Sequence, residues 1–220
     1  MWSTSQIAAL LLLALSDASA SALAQDSVMP KGKRFWISAA TVFTSALVAD
    51  EPLRRFANSH RSVTLDRIAA DVDPLGRARY LVSALAAGAV LPRLVRRDSL
   101  ANAALHVALG YAAADVAGGI MRVIAARHRP DSTGDPWRFR PFRPQGEWGS
   151  TPSAHATHAF AIAAGVAELS HDRRVAIACY TLATLVAMQR VYTQAHWTSD
   201  VIAASAVATS VSRAAVHLGF

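Results

Sequence analysis

Cysteine is almost absent from this chain. Cys179 is the only one in 220 residues, which excludes an internal disulfide and suggests neither redox nor zinc chemistry. Its place in an apolar run reads as a buried, inert thiol. Lysine is nearly missing as well, at two residues against twenty arginines, so guanidinium groups carry almost all of the +7 net charge. The arginines are scattered rather than gathered on one helix face, and no recognition motif accompanies them. That argues against nucleic acid as a partner and leaves anionic lipid or an anionic substrate. Apolar alternation of period two is missing, and with it the pattern of a half-buried strand. Charged residues make up only 17% of the chain and hydrophobic ones 53%, which excludes a disordered chain. The length suits one domain with one substantial core.

The first 24 residues differ from the rest: a short MWSTSQ leader, an apolar run from Ile7 to Leu15, and small residues ending at Ala24. This is the layout of a secretory signal peptide cleaved after Ala24, with an uncleaved N-terminal anchor as the alternative. The domain then spans 25–220. Apolar stretches of helical length run from about Phe35 to Ala49, Tyr80 to Val95, Leu100 to Ala126, Ala154 to Leu169, Val175 to Met188 and Val201 to Leu218. They predict an all-α fold, a bundle of about six core helices embedded in a membrane. Basic residues flank several of these runs (Lys31, Lys33 and Arg34; Arg93, Arg96 and Arg97; Arg173 and Arg174), as at membrane edges. Most runs are shorter than the roughly 20 residues of a full span, and the longest carries His106, Asp115 and Arg122. A soluble bundle is therefore the competing expectation.

Asp50 and Glu51 ahead of Pro52 predict a helix start, with Leu53, Phe56, Leu65 and Ile68 on a helical spacing. Asp131 to Thr151 is dense in Pro, Gly and Trp and carries Arg138, Arg140 and Arg143. It reads as a lid or rim beside a site.

Three segments carry chemistry. RVIAARHRP at 122–130 places Arg122 inside an apolar run, where a buried charge needs a partner. Arg129 follows seven residues later, two helical turns, so both guanidinium forks can face one side of one helix and grip phosphate oxygens until Pro130 stops it. TPSAH at 151–155 opens the next helix: Thr151 or Ser153 can cap it, its free N–H groups bind anions, and His155 can exchange a proton. QRVYTQAHWTSD at 189–200 puts His196 and Asp200 one turn apart, so the carboxylate can accept a hydrogen bond from one ring nitrogen and leave the other nucleophilic. Arg190 can reach the same anion. His128, between two arginines, is expected to be solvated.

In this order and spacing the three segments resemble the type-2 phosphatidic acid phosphatase superfamily, which also holds bacterial non-specific acid phosphatases and vanadium haloperoxidases. Its pattern is Lys, six residues and Arg-Pro; then Pro-Ser-Gly-His; then Ser-Arg, five residues, His, three residues and Asp. The matching residues here are Arg122, Arg129 and Pro130; Pro152, Ser153 and His155; Arg190, His196 and Asp200. The resemblance covers about Leu100 to the C-terminus. It implies that His196 attacks phosphorus and carries a phosphohistidine, that Asp200 orients it, and that His155 protonates the leaving alkoxide and later activates water. It further implies that Arg122, Arg129, Arg190 and Ser153, with the backbone N–H groups of Ala154 and His155, neutralise the phosphoryl oxygens, with no metal or other cofactor. The expected substrate is a phosphorylated lipid or another phosphate ester. The expected setting is the inner membrane with the site facing the periplasm, or, in the alternative, a soluble periplasmic non-specific acid phosphatase. Three departures stand out: Arg122 for Lys, which replaces a compact ammonium with a wider fork; Ala154 for Gly, tolerable only at negative φ; and Gln189 for Ser.

Overall fold

The computed structural model describes residues 33–218, with side chains from residue 41 onward. The leader and its expected cleavage site lie outside the described residues. Seven α-helices and one 3-10 turn follow in order: α1 (Lys33–Ser59), α2 (Val63–Val72), the 3-10 turn (Asp73–Gly76), α3 (Ala78–Leu94), α4 (Asp98–Ala125), α5 (Ala154–Ser170), α6 (Arg173–Tyr192) and α7 (Thr198–Leu218). Among the described residues β-pairing amounts to one isolated bridge between Arg127 and Phe139.

Local chemistry accounts for several boundaries. The Ser62 hydroxyl accepts from the Leu65 N–H at 3.2 Å and starts α2, and Asp172 accepts from the Arg174 N–H at 2.7 Å and starts α6. Each satisfies a donor that a helix start leaves open.

Two local expectations are corrected. Pro52 does not begin a helix; it sits inside α1, which continues to Ser59. Ala46 and Leu53, on either side of it, pack with Ile202 of α7 into a buried cluster that holds both segments on one axis. Helix α4 stops at Ala125, short of Pro130, because Ala126 takes a left-handed conformation with φ of 40°. Arg129 therefore lies beyond the helix, in an extended segment whose Arg129 N–H bonds Glu147 O at 3.1 Å. The idea that Arg122 and Arg129 share a helix face does not hold.

Helix α5 packs on α6 and α7, α7 on α4, α3 on α4, and α1 on α7. The core between them is dominated by alanine, with Ala114, Ala156, Ala161, Ala164, Ala187, Ala204 and Ala208 at its centre. Small side chains bring the helices close, as in membrane bundles; Gly110 meets Ser212 and Gly165 meets Val107. Large apolar residues face outward instead: Leu109, Val116 and Ile120 of α4 are 52%, 63% and 56% exposed, a stripe suited to lipid rather than water. Helices α4, α6 and α7, of 28, 20 and 21 residues, are long and apolar enough to cross a membrane. The C-terminal ends of α1, α4 and α6 and the N-terminal ends of α5 and α7 meet at one end of the bundle, where α2 and the 3-10 turn pack over them.

Candidate functional site

His196 sits in the short link between α6 and α7, only 4% exposed. Its Nδ1 lies 2.8 Å from the Ser150 carbonyl oxygen. A carbonyl can only accept, so the proton is on Nδ1 and the lone pair on Nε2. Burial pushes the pKa of this ring down, opposed by Asp200 and reinforced by the charges of Arg190 and Arg129. It is held neutral, the form a nucleophile needs.

The expected Asp200 to His196 hydrogen bond is replaced. Asp200 Oδ2 stands 3.8 Å from Nδ1, within charge range but beyond a hydrogen bond. Its oxygens are occupied by the Trp197 N–H at 2.9 Å, by Arg127 Nη1 at 2.8 Å and by the hydroxyls of Ser150 and Thr151. Asp200 lies in the first turn of α7, so its carboxylate folds back onto the free N–H of that helix start. Ser150, held by Asp200, presents its carbonyl to the ring.

His155 lies in the first turn of α5, outside the three long apolar helices. Burial and then the Arg190 charge push its pKa down to about 4, partly offset by Asp73. Its Nε2 is buried without a hydrogen-bond partner, 3.5 Å from Asp73 Oδ1. Arg190 donates to the same Asp73 oxygen at 2.8 Å, while its Nε is buried and unpaired, as is Arg129 Nε. Two buried arginine donors that lack acceptors, beside an unpaired ring nitrogen of His155, are expensive unless an anion completes them.

Ser153 is the N-cap of α5, its Oγ 3.5 Å from the Ala156 N–H, and its own N–H donates to Asp200 O at 3.2 Å. The N–H groups of Ala154 and His155 are the first in the helix and have no intrahelical acceptor. Ala154 is helical and not among the positive-φ residues, so the methyl that departs from the family pattern carries no left-handed strain. Arg122 is held loosely, with Nη1 3.5 Å from Pro152 O and Nη2 3.5 Å from Asp115 Oδ1. Gln189 is buried with Oε1 unpaired.

All the sequence-predicted residues thus gather at one end of the bundle. Those the motifs did not flag are Asp73, Asp50, Arg127 and Ser150, while Thr151, expected as a possible cap of α5, instead donates to Asp200. Asp-Pro-Leu-Gly at 73–76 signals a turn and nothing of its partner. Arg127 and His128 are also buried, at 1% and 8% exposure, and the expectation of a solvated His128 is overturned: its ring packs edge-on against Trp148 and its carbonyl accepts from Trp197 Nε1 at 2.8 Å. The 131–151 segment walls this region, with Arg138 and Arg140 each 5.8 Å from the centre of the Trp148 ring.

The family model of the PAP2 superfamily matches residues 103–220, and the chain belongs to that superfamily. No curated protein matches it. Two crystal structures share its fold. One is a transmembrane PAP2-type phosphatidylglycerolphosphate phosphatase from Bacillus subtilis, with a TM-score of 0.62 and 20% identity over 83% of this chain and 94% of that one. The other is LpxE of Aquifex aeolicus, with a TM-score of 0.59 and 20% identity over 76% of this chain and 93% of that one.

Proposed function

We propose that the chain is a membrane phosphatase that removes phosphate from lipid phosphates through a phosphohistidine on His196. The observation that carries this reading is the pairing of a His196 ring, fixed by Ser150 with Nε2 free, with buried, acceptor-less donors on Arg129 and Arg190 and the unpartnered Nε2 of His155. His196 Nε2 forms the bond to phosphorus as the phosphorus–ester oxygen bond breaks, and the leaving alkoxide takes a proton from His155. Water then attacks the phosphohistidine, His155 takes its proton, and phosphate leaves. Arg122, Arg129 and Arg190, with Ser153 and the first amides of α5, neutralise the equatorial oxygens, so the work is mainly positioning and charge stabilisation. A bound phosphoryl dianion also raises the pKa of His155 toward a value useful for an acid.

The three long apolar helices and the outward leucine, valine and isoleucine stripe favour a lipid substrate over a soluble ester. The expected N-terminal secretory leader favours a site end that faces the periplasm.

Acid quench during turnover should trap acid-labile phosphate on the purified protein, absent from His196→Ala. An acid-stable phosphoester would move the nucleophile to Ser153 and sink the assignment. Release of the protein from membranes by salt washing would favour the soluble acid phosphatase.

A further inference from the structure

Asp50 lies on α1, outside the residues matched to the superfamily, yet its side chain is 0% exposed. Its Oδ2 pairs with Arg127 Nη2 at 2.8 Å and accepts from Ser199 Oγ at 2.6 Å, while Oδ1 accepts from the Ser199 N–H at 2.8 Å. Burial pushes the pKa of Asp50 up, and the ion pair with Arg127, with the donors of Ser199, opposes this and favours the ionised carboxylate. The other fork of Arg127 holds Asp200 Oδ1 at 2.8 Å and Ser199 Oγ at 2.7 Å. The Pro136 carbonyl takes the remaining donors, Nε at 2.9 Å and Nη2 at 2.7 Å.

The three charges do not cancel: two carboxylates share one guanidinium. A buried excess charge is costly unless something nearby balances it. The ring closest to the anionic side is His196, whose Nδ1 faces Asp200 Oδ2 at 3.8 Å. The other charges in its surroundings are cationic or proton-binding: Arg190 on α6, Arg129 in the segment between α4 and α5, and His155 on α5. Asp73 of the 3-10 turn is engaged by Arg190. Nothing else on this side offsets a positive His196 ring.

We infer that Asp50 and Arg127 form a positioning dyad for His196: they aim Asp200 at the ring and leave the buried group one negative charge in excess, which the positive ring of the phosphohistidine cancels while the arginines hold its phosphoryl oxygens. The inference rests on the proposed phosphohistidine route and adds to it Asp50, from outside the family-matched region, and Arg127, from within it.

The test uses the full-length protein in detergent, comparing wild type with Asp50→Asn. Two readouts are needed: kcat and KM for phosphate release, and the NMR titration of the His196 ring, which does not depend on turnover. The Asn variant should lose about tenfold in kcat with KM nearly unchanged, and its His196 titration should move down by about half a unit or more. Asp50→Glu should recover part of both. An Asn variant with wild-type kcat, or one that loses activity and stability together while the His196 titration stays in place, would overturn the dyad.

If Asp50→Asn fails to fold, the Asp50→Leu/Arg127→Met double variant carries the test. It replaces a buried ion pair with apolar volume and leaves Asp200 as the single charge, so kcat should fall while the titration holds. A double variant with wild-type kcat overturns the proposal. Failure of the wild type to form an acid-labile phosphoprotein would instead strike the proposed function, with the titration still reporting on the dyad.

Discussion

Gly76 closes the 3-10 turn with its backbone against α5 and α6. A methyl built there would stand 2.8 Å from both Cβ and Cδ2 of His155 and 2.9 Å from Cγ1 of Val186, against about 3.5–4.0 Å for ordinary carbon contacts. Cβ of His155 is fixed to the helix backbone and cannot swing aside, so relief requires the turn or α5 to shift by roughly an ångström. Overpacking of this kind costs about 1–3 kcal/mol of stability, and an ångström of misplacement at a reacting group can cost about a hundredfold in rate. The same turn carries Asp73, which faces His155 at 3.5 Å and holds Arg190 at 2.8 Å, so the damage should fall on the proposed proton donor. Gly76→Ala is therefore expected to slow alkyl phosphate esters by about a hundredfold. Aryl phosphates with good leaving groups, which need less protonation, should be slowed far less. Initial-rate phosphate release with both substrate classes, alongside thermal unfolding in detergent, measures this. Wild-type rates on both with an unchanged Tm would refute the close approach. Equal loss on both would refute the route through His155.

Asp73→Asn should split kcat from KM. Phosphate or vanadate should bind Arg190 more tightly once its internal competitor is neutral, while kcat on poor leaving groups falls because His155 loses the charge that favours its protonated form; looser vanadate binding would contradict this. A second expectation concerns pH and stability. His155 titrates at about 4 in the folded protein, against 6.5 ordinarily. Between those values the unfolded chain binds the extra proton, so this group's contribution makes stability rise with pH across the window and fall as pH drops through it. His155→Gln should flatten that part of a Tm-against-pH curve; an unchanged slope would show that His155 does not titrate there.

Much of the candidate site was legible in the sequence because its motifs are local. The cap at Ser153 ahead of His155 is set by helix-start chemistry, whereas His196 precedes α7 and bonds Ser150, so the one-turn spacing to Asp200 did not give its partner. The all-α fold follows from apolar runs of helical period, and α4 ends within one residue of where its run ends. Local rules failed where long-range packing outweighed them. Pro52 lies inside α1 because α7 holds the helix on both sides, and Arg129 leaves the helix because Ala126 turns left-handed and the 131–151 segment pairs with the chain beyond it.

The partners of the charged groups belong to the second kind. Arg127 meets Asp50 across 77 residues and Asp200 across 73, and Arg190 meets Asp73 across 117. No periodicity spans such separations. The sequence by itself determined which histidines, arginines and carboxylates make up the candidate site and how closely they follow one another, since those identities and short spacings are covalent facts. Only the tertiary structure decided which charges are neutralised and by whom. Asp200 pairs with Arg127 and Ser150 presents its carbonyl to His196, because burial forces each charge to find whatever partner the packed helices bring within reach.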